Sequence, residues 1–311
     1  MKLSIVIPVF YNEQNLEPLY ADIKEKIIDR IDYDYELVMV DDGSGDRSYE
    51  VMQSLAARDP NVRIFRLSRN FGSHAAILCG LEQSTGDCAV VKAADLQEPT
   101  ELILEMVEKW KEGFRVVLAT RAGREEGKGQ TFFANFYYNL VRKAALSSMP
   151  KGGFDVYLVD RKVIEVLSGL EEKNSALTGQ ILWSGFRTAE VPYIRKEREI
   201  GESRWTLKKK IRLVMDTLFS FSTLPIKIVE IIGGVSFFGA MIWAAVEVIL
   251  KLAGLIEVTG FALMFIFQLF SFGVIMLTIG IIGEYLWRTF DASRKRPPYI
   301  IEEKGDSEKN G

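Results

Sequence analysis

Three polar clusters interrupt otherwise apolar runs in the first part of the chain: Asp41-Asp42-Gly43-Ser44, Asp95-Leu96-Gln97, and Thr120-Arg121 with Arg124 close behind. Turns and helix caps require the same residue types, so any one cluster alone reads as punctuation. Carboxylates and guanidinium groups that follow successive apolar runs suit something more specific, an anionic ligand with a divalent cation. Carboxylate oxygens are hard ligands for such a cation, and a guanidinium fork matches two phosphate oxygens. The single histidine, His74, follows Arg69-Asn70-Phe71-Gly72-Ser73 and reads as a structural hydrogen-bonder rather than a base. Cys79 and Cys88 have neither CxxC spacing nor metal-ligand neighbours, which fits a reducing compartment.

The clusters acquire a common location from the elements around them. Leu3 to Phe10 is a short apolar run, followed by Leu16, Leu19, Tyr20, Ile23, Ile27 and Ile31 at three- and four-residue spacing. That is a buried strand and then an amphipathic helix. The alternation repeats through Glu36–Val40, Tyr49–Ala57, Val62–Leu67, Ala75–Glu82, Cys88–Val91, Leu102–Trp110 and Val116–Ala119. Strands apolar on both faces, joined by helices, predict an α/β fold with a mainly parallel, doubly wound sheet. Ligands in such sheets bind beyond the carboxyl ends of the strands, where the three clusters fall. Further on, the pattern predicts a helix over Phe132–Leu146, a strand over Asp155–Val159, a helix after Asp160 and a strand over Thr188–Ile194. A net charge of -3 gives no basic signature, which argues against nucleic acid as the main partner.

Apolar residues dominate from Ile226 onward. Residues 226–250 and 261–284 are each long enough, at 1.5 Å per residue, to cross a hydrocarbon core of about 30 Å. Lys208, Lys209, Lys210, Arg212 and Lys227 precede the first segment, and Arg288, Arg294, Lys295 and Arg296 follow the second. The positive-inside rule therefore predicts an integral membrane protein with both termini in the cytoplasm. Glu247, Lys251 and Gln268 fit helix pairing or snorkelling better than an ion pathway. The expected organisation is a cytoplasmic catalytic domain over 1–204, a juxtamembrane amphipathic segment over 205–225, two transmembrane helices within 226–287, and a polar tail over 288–311.

The motifs Ile5-Val6-Ile7-Pro8-Val9-Phe10-Tyr11-Asn12-Glu13, Val40-Asp41-Asp42-Gly43-Ser44 and Ala94-Asp95-Leu96-Gln97-Glu98-Pro99, in this order, resemble the inverting glycosyltransferases of GT-A fold. Within that family the chain is most similar to the polyprenyl-phosphate branch typified by dolichol-phosphate-mannose synthase. The resemblance extends to Arg198, Gly201-Glu202-Ser203 and the hairpin ending Gly283-Glu284-Tyr285. It implies that Pro8, Glu13, Asp41 and Asp42 hold the donor nucleotide and that Arg121 and Arg124 contact its phosphates. It implies Asp95 as ligand to Mg²⁺ or Mn²⁺, with Gln97 as a second ligand. Asp155 matches the catalytic-acid segment, although Val156-Tyr157 replace Phe-Arg; a strand-end cap is the plainer reading. Arg198 and Arg204 fall where an acceptor phosphate would meet the headgroup layer, a position equally suited to an interfacial anchor. The implied reaction moves a sugar from a nucleotide diphosphate sugar, UDP-glucose or a related UDP-hexose, to undecaprenyl or dolichyl phosphate.

The chain departs from the family's Asp-x-Asp metal motif at its first position, Ala93, with Lys92 before it. One protein carboxylate then remains for the cation, and metal binding depends on the nucleotide diphosphate. Two alternatives stay open: a polysaccharide synthase, whose Gln-x-x-Arg-Trp signature is broken here by Gly201, and an inactive membrane scaffold. Membrane lipids are expected partners, and a homo-oligomer is compatible with this reading.

Overall fold

The computed structural model describes residues 1–124, 139, 141–143, 145–150, 153–170, 172, 176–195, 207–254 and 261–305. It divides into two compact units, Met1–Thr217 with Arg296–Gly311, and Leu218–Lys295.

The first unit is built on an eight-stranded sheet in the order β7-β5-β6-β4-β1-β2-β3-β8. β1 (Lys2–Val9), β2 (Asp34–Asp41), β3 (Val62–Leu67) and β4 (Cys88–Val91) are parallel to their neighbours among one another. They are linked by α1 (Leu16–Lys26), α2 (Ser48–Arg58) and α3 (Ser73–Gln83), and α4 (Leu102–Lys111) leads on to β5 (Val116–Arg124). β6 (Phe154–Asp160) runs antiparallel between β4 and β5, and β7 (Thr188–Arg195) closes that side parallel to β5. The helices α5 (Arg161–Ser168) and α6 (Leu177–Trp183) lie between β6 and β7 in sequence.

Burial explains why these segments are strands. Leu3, Ile5, Val6, Ile7, Leu37, Val38, Met39, Val40, Cys88, Ala89 and Val90 are fully buried, so the central strands are apolar on both faces. The helices bury only a stripe, such as Leu16, Leu19 and Ile23 of α1. α3 approaches the sheet so closely that a Cβ on Gly80 would stand 2.3 Å from a Val6 methyl carbon. Cys79 and Cys88 are buried free thiols. Of the helix expected over Phe132–Leu146, positions 139 and 141–143 are helical and most of the remainder lies outside the described residues.

The structure adds a strand that the sequence pattern does not signal. Within the polar tail, β8 (Ile301–Gly305) pairs antiparallel with β3 and completes the sheet on its other edge.

α7 (Leu207–Phe221) leads into the second unit, which consists mainly of α8 (Leu224–Leu252) and α9 (Phe261–Ser293). Two stretches, Leu224–Leu252 and Phe267–Ser293, are long and apolar enough to cross a membrane, with none of their most apolar windows buried within the protein. At about 43 Å, α8 exceeds a hydrocarbon core of about 30 Å. Phe237, Phe238, Ile242, Phe265, Phe270 and Phe272 are all more than half exposed, a large apolar surface. At the far end of α9, Tyr285 meets Phe219 edge-on at 5.2 Å, and Arg288 pairs with Glu284 at 2.8 Å while lying over the Phe219 ring.

Candidate active site

The carboxyl edge of the parallel strands collects the predicted residues into two groups. The first lies around β1 and β2. Asp41 ends β2 and is fully buried; its Oδ1 accepts from the Ser44 N–H at 3.1 Å, while Oδ2 accepts no hydrogen bond from the described residues. Burial raises its pKa, against the pull of Ser44 and Arg66. The next residue, Asp42, accepts from the Phe71 and Gly72 N–H groups at 2.7 and 2.9 Å. Burial nevertheless pushes its pKa up to about 6. Asp42 thus fixes the loop that opens α3, which gives it a structural duty at the position expected to touch nucleotide.

Gly43 permits this closeness. It adopts φ +69°, and a Cβ there would lie 2.6 Å from the Arg69 carbonyl carbon, so any side chain would collide with backbone. The loop after β1 joins the same group: Tyr11 N–H donates to Ser44 Oγ at 2.9 Å and Asn12 N–H to Ser48 Oγ at 2.8 Å. Glu13 accepts from the Arg47 N–H at 3.0 Å, and Pro8 is half-buried near the end of β1. His74 opens α3 with burial holding its pKa low against the attraction of Asp216, in keeping with a neutral structural imidazole.

The second group surrounds Asp155. Because β6 is antiparallel to β4 and β5, its first residues return to the edge where the parallel strands end, and Asp155 comes beside Arg121. Arg121 is nearly buried and forms an ion pair with the Asp155 carboxylate. Arg195, the last residue of β7, approaches the same carboxylate at 3.9 Å, donates to Gln97 Oε1 at 2.6 Å and stands 3.8 Å from Glu98. Asp155 is thus held between two guanidinium groups, which goes beyond a strand-end cap. The Gln97 oxygen expected on a cation is engaged by Arg195 instead.

Asp95 lies half-buried in the loop after β4, its Oδ1 accepting from the Gln97 N–H at 3.3 Å, and Leu96 takes a left-handed φ of 58°. Lys92, at the root of this loop, is buried and donates through Nζ to the Glu98 carbonyl at 2.9 Å, bridging the segment that carries Asp95. Desolvation lowers its pKa, opposed by Glu98, Asp22 and Asp95. The Glu98 carboxylate is buried without a hydrogen bond among the described residues, and burial raises its pKa.

No cluster of three or more His, Cys, Asp or Glu side chains that could hold a metal occurs among the described residues. Among the described residues, the donor that the resemblance implies for a cation is the single carboxylate of Asp95. That donor set fits Mg²⁺ or Mn²⁺, hard cations commonly held by one or two carboxylates together with substrate phosphates. Arg124 ends β5; its side chain, and the whole of Arg198 and Arg204, lie outside the described residues.

Sequence reasoning missed Arg195, Glu98, Lys92 and Arg66. Arg195 carried the same signal as Arg121, a cation at the end of an apolar run, but its strand was expected to stop at Ile194. Lys92 and Glu98 flank Asp95 and were visible only as departures from, or bystanders to, a motif.

The family description "Glycosyl transferase family 2" matches residues 4–166. An uncharacterized glycosyltransferase of Bacillus subtilis (strain 168) is 39% identical, covering 97% of this chain and 94% of its own. A prophage bactoprenol glucosyl transferase homolog of Escherichia coli (strain K12) is 34% identical over 97% of this chain and 98% of its own. Among solved structures, glucosyl-3-phosphoglycerate synthase from Mycobacterium tuberculosis aligns with a TM-score of 0.48 at 15% identity, covering 70% of this chain and 77% of that one.

Proposed function

The chain belongs to glycosyl transferase family 2, and on that premise we propose that it transfers glucose from UDP-glucose to a polyprenyl phosphate at the cytoplasmic face of a membrane. The observation that carries this reading is the end-to-end likeness to bactoprenol glucosyl transferases, which extends through the membrane hairpin as well as the sheet domain. The site chemistry agrees with it. Attack by an acceptor phosphate oxygen on the sugar's anomeric carbon forms the new C–O bond. The bond to the donor diphosphate breaks on the opposite face, its electron pair leaving with the nucleoside diphosphate, and the configuration inverts.

A phosphate monoester has a second pKa of about 6, so the acceptor is largely a dianion at neutral pH and needs no strong base. Asp155, held by Arg121 and Arg195, is suited to orienting groups around the reacting centre. The guanidinium groups attract phosphate charge, and the first group, with Asp41 and the loops around it, receives the nucleotide. A bound divalent cation, held by Asp95 and the diphosphate, would neutralise charge on the leaving group.

The connectivity supports a single-sided arrangement. The segments before and after the hairpin both belong to the sheet unit, so the membrane is entered and left from one face. The basic residues flanking the apolar stretches favour the cytoplasm for that face.

Membranes carrying the full chain, incubated with a panel of nucleotide sugars and undecaprenyl phosphate, test the reading. Lipid-linked glucose should form from UDP-glucose with Mg²⁺ or Mn²⁺, and Asp95→Ala should lose nucleotide affinity in calorimetric titration. Absence of any sugar-phosphate lipid product across the panel would overturn the reaction. UDP affinity unchanged by chelator and by Asp95→Ala would overturn the cation's site.

A further inference from the structure

The polar tail after the hairpin returns to the sheet at one particular place. β8 pairs with β3 so that Glu303 stands opposite Arg66 in register. Arg66 Nη1 is 3.8 Å from Glu303 Oε1, and Arg66 Nε is 3.5 Å from Asp41 Oδ2, the buried oxygen that accepts no hydrogen bond from the described residues. The guanidinium lies over the Tyr49 ring, 5.0 Å from its centre. Arg66 is therefore fixed on three sides: by the aromatic face, by a carboxylate of the donor loop, and by a carboxylate contributed from beyond both membrane helices.

We propose that Glu303 is a positioning residue of the donor site, acting through Arg66 on Asp41. The inference rests on the reading above that Asp41 receives the nucleotide. A guanidinium released from Glu303 can rotate about its stem and engage both Asp41 oxygens, the geometry that arginine and carboxylate prefer. Asp41 would then spend its acceptor capacity on Arg66 instead of on ligand N–H or O–H groups. With Glu303 present, Arg66 stays divided and Oδ2 keeps its acceptor capacity. The tail is thereby a working part of the donor site, and a fragment ending before the hairpin lacks it.

The full chain in detergent, titrated calorimetrically with UDP, tests the idea in a double-mutant cycle. Glu303→Gln should weaken UDP binding about two- to fivefold, as expected for a partly exposed charge pair. Glu302→Gln on the same strand should leave it unchanged. In an Asp41→Asn background, Glu303→Gln should have little further effect, because the residue it acts on is gone. Equal losses in both backgrounds would assign Glu303 only a general structural role and overturn the proposal. Wild-type affinity in Glu303→Gln, alongside a clear loss in Asp41→Asn, would overturn the coupling and leave the assignment of Asp41 standing. Unchanged affinity in Asp41→Asn would remove that assignment and the inference with it.

Discussion

Glu36 offers a stability test whose size follows from the structure and whose location keeps it apart from catalysis. It lies near the start of β2, almost completely buried, with Oε1 accepting from Ser4 Oγ at 2.6 Å and the Thr85 N–H at 2.5 Å. Oε2 accepts from Thr85 Oγ1 at 3.0 Å and faces Lys2 Nζ at 3.2 Å and Arg63 Nη1 at 3.3 Å. Burial alone would raise its pKa, but the Ser4 and Thr85 donors and Lys2 together hold it down to about 2 from an ordinary 4.5. At 1.36 kcal/mol per pKa unit the difference is about 3 kcal/mol in favour of the fold. Because the folded-state pKa is depressed, this stabilisation is fully present above pH 4.5 and is lost as pH falls toward 2. Glu36→Gln keeps the shape but turns an amide toward Lys2 and Arg63, so at pH 7 it should cost about 3 kcal/mol. For a unit of this size that is a fall in melting temperature of about 6–12 °C. Tryptophan-fluorescence melts of the detergent-solubilised protein and its variant, compared at pH 7 and at successively lower pH, measure it. The gap should narrow below pH 4.5. Equal melting at pH 7, or a gap that persists undiminished to pH 2, would refute the reasoning. UDP affinity should not change, since Glu36 and Asp41 are separated along β2 by about 17 Å.

Other substitutions test the site and its support. Asp155→Asn should lower the transfer rate while leaving the pH profile without a new requirement for alkali; recovery of activity at high pH would mark Asp155 as an obligatory base. Gly80→Ala should destabilise the protein by about 1–3 kcal/mol through overpacking of α3 on Val6, read as a lower melting temperature with UDP affinity retained. The Asp42 carboxyl should titrate near pH 6, so the stability it contributes is present below its ordinary 3.8 and fades as pH rises through 6. A carbon-13 carboxyl titration with an ordinary midpoint would contradict that.

Periodicity was enough to locate most of the framework, because buried parallel strands leave continuous apolar runs and their helices leave a stripe. Cys88–Val91 matches the observed β4, and the other expected strands and helices among the described residues differ mainly at their ends, whereas α6 (Leu177–Trp183) was not anticipated. Direction is harder to read. Nothing in Phe154–Asp160 says that this strand runs against β4 and β5, yet that reversal is what brings Asp155 to Arg121. β8 was illegible for another reason: Glu302, Glu303 and Lys304 are exposed, so an edge strand with charged side chains looks like a solvated tail. The motif residues told which side chains gather at the edge. They did not tell that Arg195 would occupy Gln97, that Lys92 would brace the Asp95 loop, or that Asp42 would be consumed by the α3 loop, since these depend on contacts between distant strands.

The place of β8 in the sheet has a consequence for how the molecule is made. Its partner β3 ends at Leu67, whereas β8 begins at Ile301, so the ribosome finishes one long before the other. At about 5–20 residues per second the interval is roughly 10–50 s. During that time the outer rim of β3 carries unpaired amide and carbonyl groups that any other extended polypeptide could adopt. Both apolar helices are synthesised within the same interval. A chain stalled before its last segment is made would therefore display an open, adhesive strand, which makes completion of the tail a step that protects the domain already folded.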